Sequence, residues 1–251
     1  MYVSTAETYV VISVAATGLL ALVRRAGRRR PVAAQGLFLV VALAATRLLS
    51  LPQSWLRQDA VTNDVTVVEI LAVGAAGLAF AWIGLAVLWP GRAKSARVRP
   101  AAAARQLAAG LAVGAVPGLA LFHPARPGPL AGRTSLALAL IATVLVSVLQ
   151  EEVFYRGALF SFLEGRGLRA DAVNGIQTAV FAAVHVPDRW LYVSAFGDLR
   201  TAVGSIAAVV LGGWIFGALR ARTGRLWMPV GAHTAWNLLG FLSFWNSLPR
   251  P

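Results

Sequence analysis

Long apolar runs alternate with short polar segments along most of the chain, and each run has about the length that a helix needs to cross a bilayer. We therefore expect an all-α fold, a polytopic transmembrane helical bundle with about eight spans. The predicted spans are Tyr9 to Val23, Ala34 to Leu49, Val65 to Trp89, Leu107 to Phe122, Thr134 to Leu149, Ala172 to Val186, Leu199 to Leu219, and Pro229 to Phe244.

Composition supports a membrane protein. Hydrophobic residues make up 58% of the 251 residues and charged residues only 13%, with a mean hydropathy of +0.68. A soluble domain of this size is less apolar. We expect one integral-membrane domain over residues 1–251, with N-terminal spans in 1–133 and a motif-bearing core in 134–244. The segment Gly91 to Arg105 is the only stretch that resembles a linker.

The net charge of +13 follows the predicted topology rather than a nucleic-acid surface. Sixteen basic residues fall in loops on one side of the predicted spans and six on the other. The positive-inside rule makes the richer side cytoplasmic and places both termini outside. Arginine supplies 22 of the 23 basic residues, which points to a GC-rich bacterial genome and hence a bacterial plasma membrane. The chain has no cysteine, so disulfides and thiolate metal sites are excluded.

Two adjacent carboxylates, Glu151 and Glu152, follow directly on the apolar run Leu136 to Leu149. An unpaired carboxylate at the bilayer centre costs roughly 2.5 to 3.5 kcal/mol on insertion scales, so each needs a partner or a function. Glu152 and Arg156 are one helical turn apart and can form an ion pair. Glu151 lies on a different face of the helix and needs another partner.

His185 is the candidate partner for Glu151. A turn-like segment centred on Leu168 separates the two residues, and each lies 17 residues from it. In an antiparallel helical hairpin they reach the same depth, roughly 25 Å from the turn. His233 and Asn237, in the last apolar run, share one helix face and begin on the same cytoplasmic side.

These polar groups suit amide hydrolysis. Glu151 with His185 can take a proton from water, and His233 with Asn237 can donate hydrogen bonds to the oxyanion that forms. The alternative for each motif alone is structural, because Glu/Arg pairs and His/Asn turns also join membrane helices.

Together the motifs resemble a known family. Glu151-Glu152-x-x-x-Arg156, Phe181-x-x-x-His185 and His233-x-x-x-Asn237, in this order on successive apolar regions, are similar to the signature of the CPBP family of CAAX proteases and bacteriocin-processing intramembrane peptidases. The resemblance covers about Thr134 to Phe244.

The resemblance implies an intramembrane endopeptidase of the glutamic type, similar to the type II CAAX prenyl endopeptidases. Glu151 would then be the general base, His185 its partner on the water, and His233 with Asn237 the oxyanion donors. Glu152 and Arg156 would orient the site. The implied partners are the bilayer and a peptide or protein substrate, lipidated or membrane-anchored, and no nucleic acid.

Three alternatives stay open. In a zinc-dependent peptidase Glu151, His185 and His233 would be the metal ligands, although the chain contains no His-Glu-x-x-His motif. A non-catalytic immunity or scaffold protein on the same fold would bind a peptide without cleaving it. A proton-coupled transporter would also use intramembrane Glu and His residues. We expect no resident cofactor, with zinc as the alternative.

Overall fold

The computed structural model describes residues 100–121, 147–196 and 199–247, and within these segments every regular element is a helix. This agrees with the all-α prediction. The elements are α1 (Pro100–Leu121), a π-helix (Glu152–Leu159) that continues the helical residues 147–151, α2 (Phe160–Glu164), α3 (Ala170–Phe196), α4 (Leu199–Thr223) and α5 (Trp227–Ser247).

The described helices extend beyond the apolar runs that predicted them. Helix α1 begins at Pro100 instead of Leu107. The prediction of a linker up to Arg105 is therefore wrong for residues 100–105. Helix α3 continues through Pro187 to residue 196. Hydropathy marks the part of a helix that is apolar, whereas backbone hydrogen bonding continues for as long as the side chains permit it. The apolar pattern therefore underestimated the lengths of these helices.

Two of the described helical stretches are long and apolar enough to cross a membrane, Pro100–Leu121 and Ala202–Thr223. The predicted spans Tyr9 to Val23, Ala34 to Leu49 and Val65 to Trp89 lie outside the described residues, as does most of Thr134 to Leu149. The total of eight spans and the orientation of the termini therefore stay predictions.

Helices α1 and α5 pack through small residues. Gly110, Gly114 and Gly118 follow one another at four-residue intervals and are the buried positions of α1. A Cβ atom on Gly110 would collide with the backbone of Met228, and one on Gly114 with the backbone of Ala232. Glycine allows such close backbone approach between membrane helices. This interface fixes α5, which carries His233, against α1.

A polar network joins α3 to α4. The Gln177 amide donates to the Gly213 carbonyl at 3.1 Å and to the Asn174 side-chain oxygen at 2.9 Å. The Asn174 amide donates to the Trp214 carbonyl at 3.2 Å. A Cβ atom on Gly217 would collide with both side chains of the network. Hydrogen bonds from one helix to the backbone of the next therefore fix how α3 and α4 pack together.

The predicted turn near Leu168 occupies only residues 165–169. Helix α2 ends at Glu164, Gly167 has a φ of 77°, and α3 begins at Ala170. A φ in this region strains any residue with a side chain, so glycine suits the turn. The backbone N–H of Ala172 at the start of α3, together with the Arg169 guanidinium, lowers the pKa of the exposed Asp171.

The close contact between α1 and α5 predicts that replacement by alanine changes the free energy of unfolding differently at two glycines. Gly114→Ala should lower the free energy of unfolding by about 1 to 3 kcal/mol, because its methyl group overlaps the Ala232 backbone. Gly204→Ala should be neutral or raise it by up to about 1 kcal/mol, because a Cβ there meets nothing within 4 Å and alanine favours the helix.

Thermal unfolding of the two variants and the wild type in detergent measures this difference. A Gly114→Ala protein that melts at or above the wild-type temperature, or together with Gly204→Ala, would contradict the close packing of α1 on α5.

Candidate active site

The first motif lies where the helix changes its hydrogen-bonding pattern. Residues 147–151 are α-helical, and the π-helix begins at Glu152. Almost every side chain of the π-helix is buried, and only Val153 is partly exposed. The buried residues are Glu152, Phe154, Tyr155, Arg156, Gly157, Ala158 and Leu159. Single-turn π-helices occur frequently at functional sites. The sequence pattern predicted a continuous α-helix here and did not predict the wider turn.

Glu152 and Arg156 form the predicted ion pair. Arg156 Nη1 donates to Glu152 Oε1 at 2.9 Å, and both side chains are 0% exposed. Arg156 Nη2 also donates to the Gly213 carbonyl of α4 at 3.3 Å. The guanidinium lies 4.4 Å from the centre of the Phe181 ring on α3. Three helical segments therefore hold one buried cation.

His233 of α5 contacts both carboxylates. Its Nδ1 lies 2.7 Å from Glu152 Oε1, and its Nε2 lies 3.6 Å from Glu151 Oε2. The ring stacks on Phe216 of α4 with centroids 4.6 Å apart and an interplanar angle of 21°. The imidazole is therefore fixed in position and in orientation, with one nitrogen toward each glutamate.

The contacts of Glu152 determine which nitrogen of His233 carries a proton. Glu152 Oε1 accepts a hydrogen bond from the Arg156 guanidinium, which can only donate, so this oxygen is an acceptor. His233 Nδ1 must therefore be the donor in the 2.7 Å contact. In the neutral imidazole Nε2 is then an acceptor, and it faces Glu151. Nε2 of His233 and Oε2 of Glu151 are 3.6 Å apart, which is a close contact but longer than a hydrogen bond.

The two adjacent glutamates have different surroundings. The Glu152 side chain is 0% exposed and accepts two short hydrogen bonds, from Arg156 and His233. The Glu151 side chain is 18% exposed, and its contacts with His233 at 3.6 Å and Ser147 at 3.4 Å are long. Only Glu151 is both near solvent and loosely held. This difference suits it, rather than Glu152, to exchange protons with a reactant.

His185 lies beside Phe181, the aromatic residue whose ring packs on the guanidinium of the ion pair. Its Nδ1 donates to the Phe181 carbonyl at 2.7 Å, and the two ring centroids are 4.5 Å apart. The Phe181 ring is also 6.0 Å from the His233 ring. Because a carbonyl only accepts, a neutral His185 presents Nε2 as an acceptor. Its predicted contact with Glu151 stays a prediction.

Asn237 lies on α5, one helical turn after His233, and is partly buried. An α-helix advances about 6 Å over four residues, so both side chains start from one face of α5. In the structure His233 therefore contacts the two glutamates of the first motif, and Asn237 follows one turn later on α5. The role of Asn237 as an oxyanion donor stays a prediction.

The suggested zinc ligands were Glu151, His185 and His233. Within the described segments no three His, Asp or Glu side chains form a group that could hold a metal ion. Both histidines do present Nε2, with Nδ1 donating to an oxygen, which is the arrangement that metal-binding histidines adopt.

Several residues that build the site were not predicted. Phe216 stacks on His233, and the carbonyl of Gly213 accepts from both Arg156 and Gln177. Gln177 could have been found from the sequence, because it shares a helix face with Asn174 and Thr178 in an apolar run, and polar side chains there need partners. Phe216 carries no such signal, since an aromatic residue in an apolar helix is common.

Comparison with known families identifies the region that carries these residues. Residues 133–239, rather less than half of the chain, match the family described as Type II CAAX prenyl endopeptidase Rce1-like. No curated protein and no solved structure matches the chain. The matched region contains all three motifs and the π-helix. Residues 133–239 therefore resemble the Rce1-like type II CAAX prenyl endopeptidases, and this match supports the CPBP family of CAAX proteases.

Proposed function

We propose that this protein is an intramembrane endopeptidase that hydrolyses a peptide bond near the cytoplasmic side of the membrane with water activated by Glu151. The observation that carries the proposal is the contact of His233 with both glutamates, 2.7 Å from Glu152 and 3.6 Å from Glu151. It joins two motifs that lie 81 residues apart in one buried group.

Glu151 is the proposed general base. As the water oxygen attacks the carbonyl carbon, Glu151 takes a proton from the water and the carbonyl electrons move to its oxygen. The tetrahedral oxyanion then collapses, the C–N bond breaks, and the proton passes from Glu151 to the leaving nitrogen. His185, with Nε2 as an acceptor, would help to hold the water. The products are a carboxylate and an amine.

His233 and Asn237 are the proposed oxyanion donors. Because Nδ1 of His233 already donates to Glu152, a second bond to the oxyanion requires a proton on Nε2 as well. The Asn237 amide would supply a further donor without a change of charge.

The proposed substrate is a membrane-anchored peptide, and the family description favours one that ends in a prenylated CAAX sequence. In such a sequence the lipid is attached to the cysteine, so the bond to be cleaved lies close to the membrane surface. A site carried on membrane helices suits a scissile bond at that depth. A related lipid-anchored or unmodified peptide is the alternative substrate.

Removal of the base tests the assignment. Glu151→Gln keeps the size of the side chain but cannot take a proton, so kcat should fall by at least about 10²-fold. The assay uses purified protein and a fluorogenic peptide with a C-terminal S-farnesyl CAAX sequence, beside the same peptide without the lipid. His185→Ala should also abolish cleavage.

Both variants should retain the wild-type melting temperature to within a few degrees, which serves as the control for folding. A Glu151→Gln protein that cleaves at the wild-type rate would exclude the proposed mechanism. Restoration of cellular function by Glu151→Gln would favour the non-catalytic binding protein instead.

The neighbouring glutamate should respond differently. Glu152→Gln leaves the Arg156 cation without its carboxylate in a site that is 0% exposed, so stability should fall by about 3 to 5 kcal/mol. Glu151→Gln removes a partly exposed group with long contacts and should cost less than about 1 kcal/mol. Thermal unfolding in detergent compares the two variants. Equal losses would contradict the division of roles between the glutamates.

Metal dependence separates the glutamic mechanism from the zinc alternative. We expect cleavage to continue at the wild-type rate after treatment with a strong zinc chelator, and elemental analysis of the active protein to show less than about 0.1 zinc per chain. Loss of activity on chelation that zinc alone restores would favour Glu151, His185 and His233 as metal ligands.

A further inference from the structure

Arg220 is buried at the end of α4, which its charge did not suggest. The sequence pattern placed it in a cytoplasmic loop, but it lies in the last helical turn of α4 and is 3% exposed. Its Nε donates to the Arg156 carbonyl at 2.9 Å, and its Nη2 donates to Ser161 Oγ at 3.4 Å. The guanidinium also lies 5.3 Å from the centre of the Phe160 ring. The prediction of a loop at residue 220 was wrong, because the helix continues from Leu219 to Thr223.

The carbonyl that Arg220 binds lies where the π-helix ends. In an α-helix the Phe160 N–H would donate to the Arg156 carbonyl four residues earlier. Here it donates to the carbonyls of Tyr155 and Gly157 instead. The wider turn therefore diverts the donor that would normally bind the Arg156 carbonyl, and Arg220 supplies a charged donor at that oxygen. A charge-assisted bond in a buried position is stronger than a neutral one.

Arg156 is thus held at both ends. Arg220 binds its main-chain carbonyl, while Glu152 and Gly213 bind its guanidinium. The position of Arg156 in turn sets the position of the Glu152 carboxylate, to which His233 donates.

We infer that Arg220 is a positioning residue that stabilises the π-helical turn and so aligns Glu152 and His233 for the reaction. Its catalytic consequence rests on the proposed function, whereas its effect on the π-helix does not. Arg220 touches no reacting atom in this mechanism. It acts through the main chain of Arg156.

Kinetics of Arg220 variants test the catalytic consequence. Arg220→Met removes every donor and should lower kcat for the farnesylated peptide about tenfold to a hundredfold, with KM changed less than about twofold. Arg220→Lys retains one cationic donor for the Arg156 carbonyl and should recover part of that loss. Arg222→Met is the matched control, because Arg222 lies on the same helix and is exposed.

Thiol labelling tests the effect on the π-helix without any need for activity. The chain contains no cysteine, so one can be introduced at Ala158, which is buried in the π-helix, or at Ala202, which is buried in α4. Arg220→Met should accelerate maleimide labelling of Ala158→Cys at least about tenfold and leave labelling of Ala202→Cys unchanged. Arg222→Met should change neither rate.

The possible results separate the inference from its alternatives. Faster labelling at residue 158 alone, with a lower kcat that Arg220→Lys partly restores, supports it. Faster labelling at both positions indicates general destabilisation and overturns it, as does wild-type labelling at both. Local acceleration with an unchanged kcat overturns the catalytic consequence. If the wild type cleaves neither peptide, the proposed function fails, and the labelling result still decides whether Arg220 stabilises the π-helix.

Discussion

The buried ion pair between Glu152 and Arg156 determines the rest of the site. A carboxylate and a guanidinium that are both 0% exposed would each carry a large desolvation cost alone, so neither tolerates loss of the other. Because Glu152 Oε1 accepts from Arg156, Nδ1 of His233 is the donor in its contact with that oxygen, and Nε2 is directed at Glu151. One electrostatic pair thereby fixes both the position and the tautomer of a histidine on another helix.

Two residues that are adjacent in sequence have different surroundings, and the proposed mechanism gives them different roles. Glu152 is fully buried and occupied by Arg156 and His233, whereas Glu151 is partly exposed and loosely held. Identical side chains acquire different properties because their surroundings differ. The π-helix begins at Glu152 and almost all of its side chains are buried, whereas Glu151 lies just before it. A regular α-helix would distribute buried and exposed positions more evenly.

The parts of the structure that depend on local spacing could be predicted, and those that depend on distant contacts could not. The Glu152/Arg156 pair follows from four-residue spacing, and the described helices follow from apolar runs. The contact of His233 with both glutamates could not be found by spacing, because the packing of α5 decides it. The π-helix has no reliable sequence signal. The sequence pattern placed Arg220 in a loop because its charge ends an apolar run. The buried carbonyl that binds its side chain cannot be found from the sequence.

The glycine contact between α1 and α5 bears on whether the family-matched region can pack without the helix that precedes it. The family match begins at residue 133, yet α1 ends at Leu121 and packs by backbone contact on the helix that carries His233. The matched region therefore does not pack independently of the chain that precedes it. A chimaera that fuses the matched region to foreign upstream spans would need a partner helix that also has glycine where it contacts α5. Divergence of the N-terminal half is constrained here by shape even where no chemistry is shared.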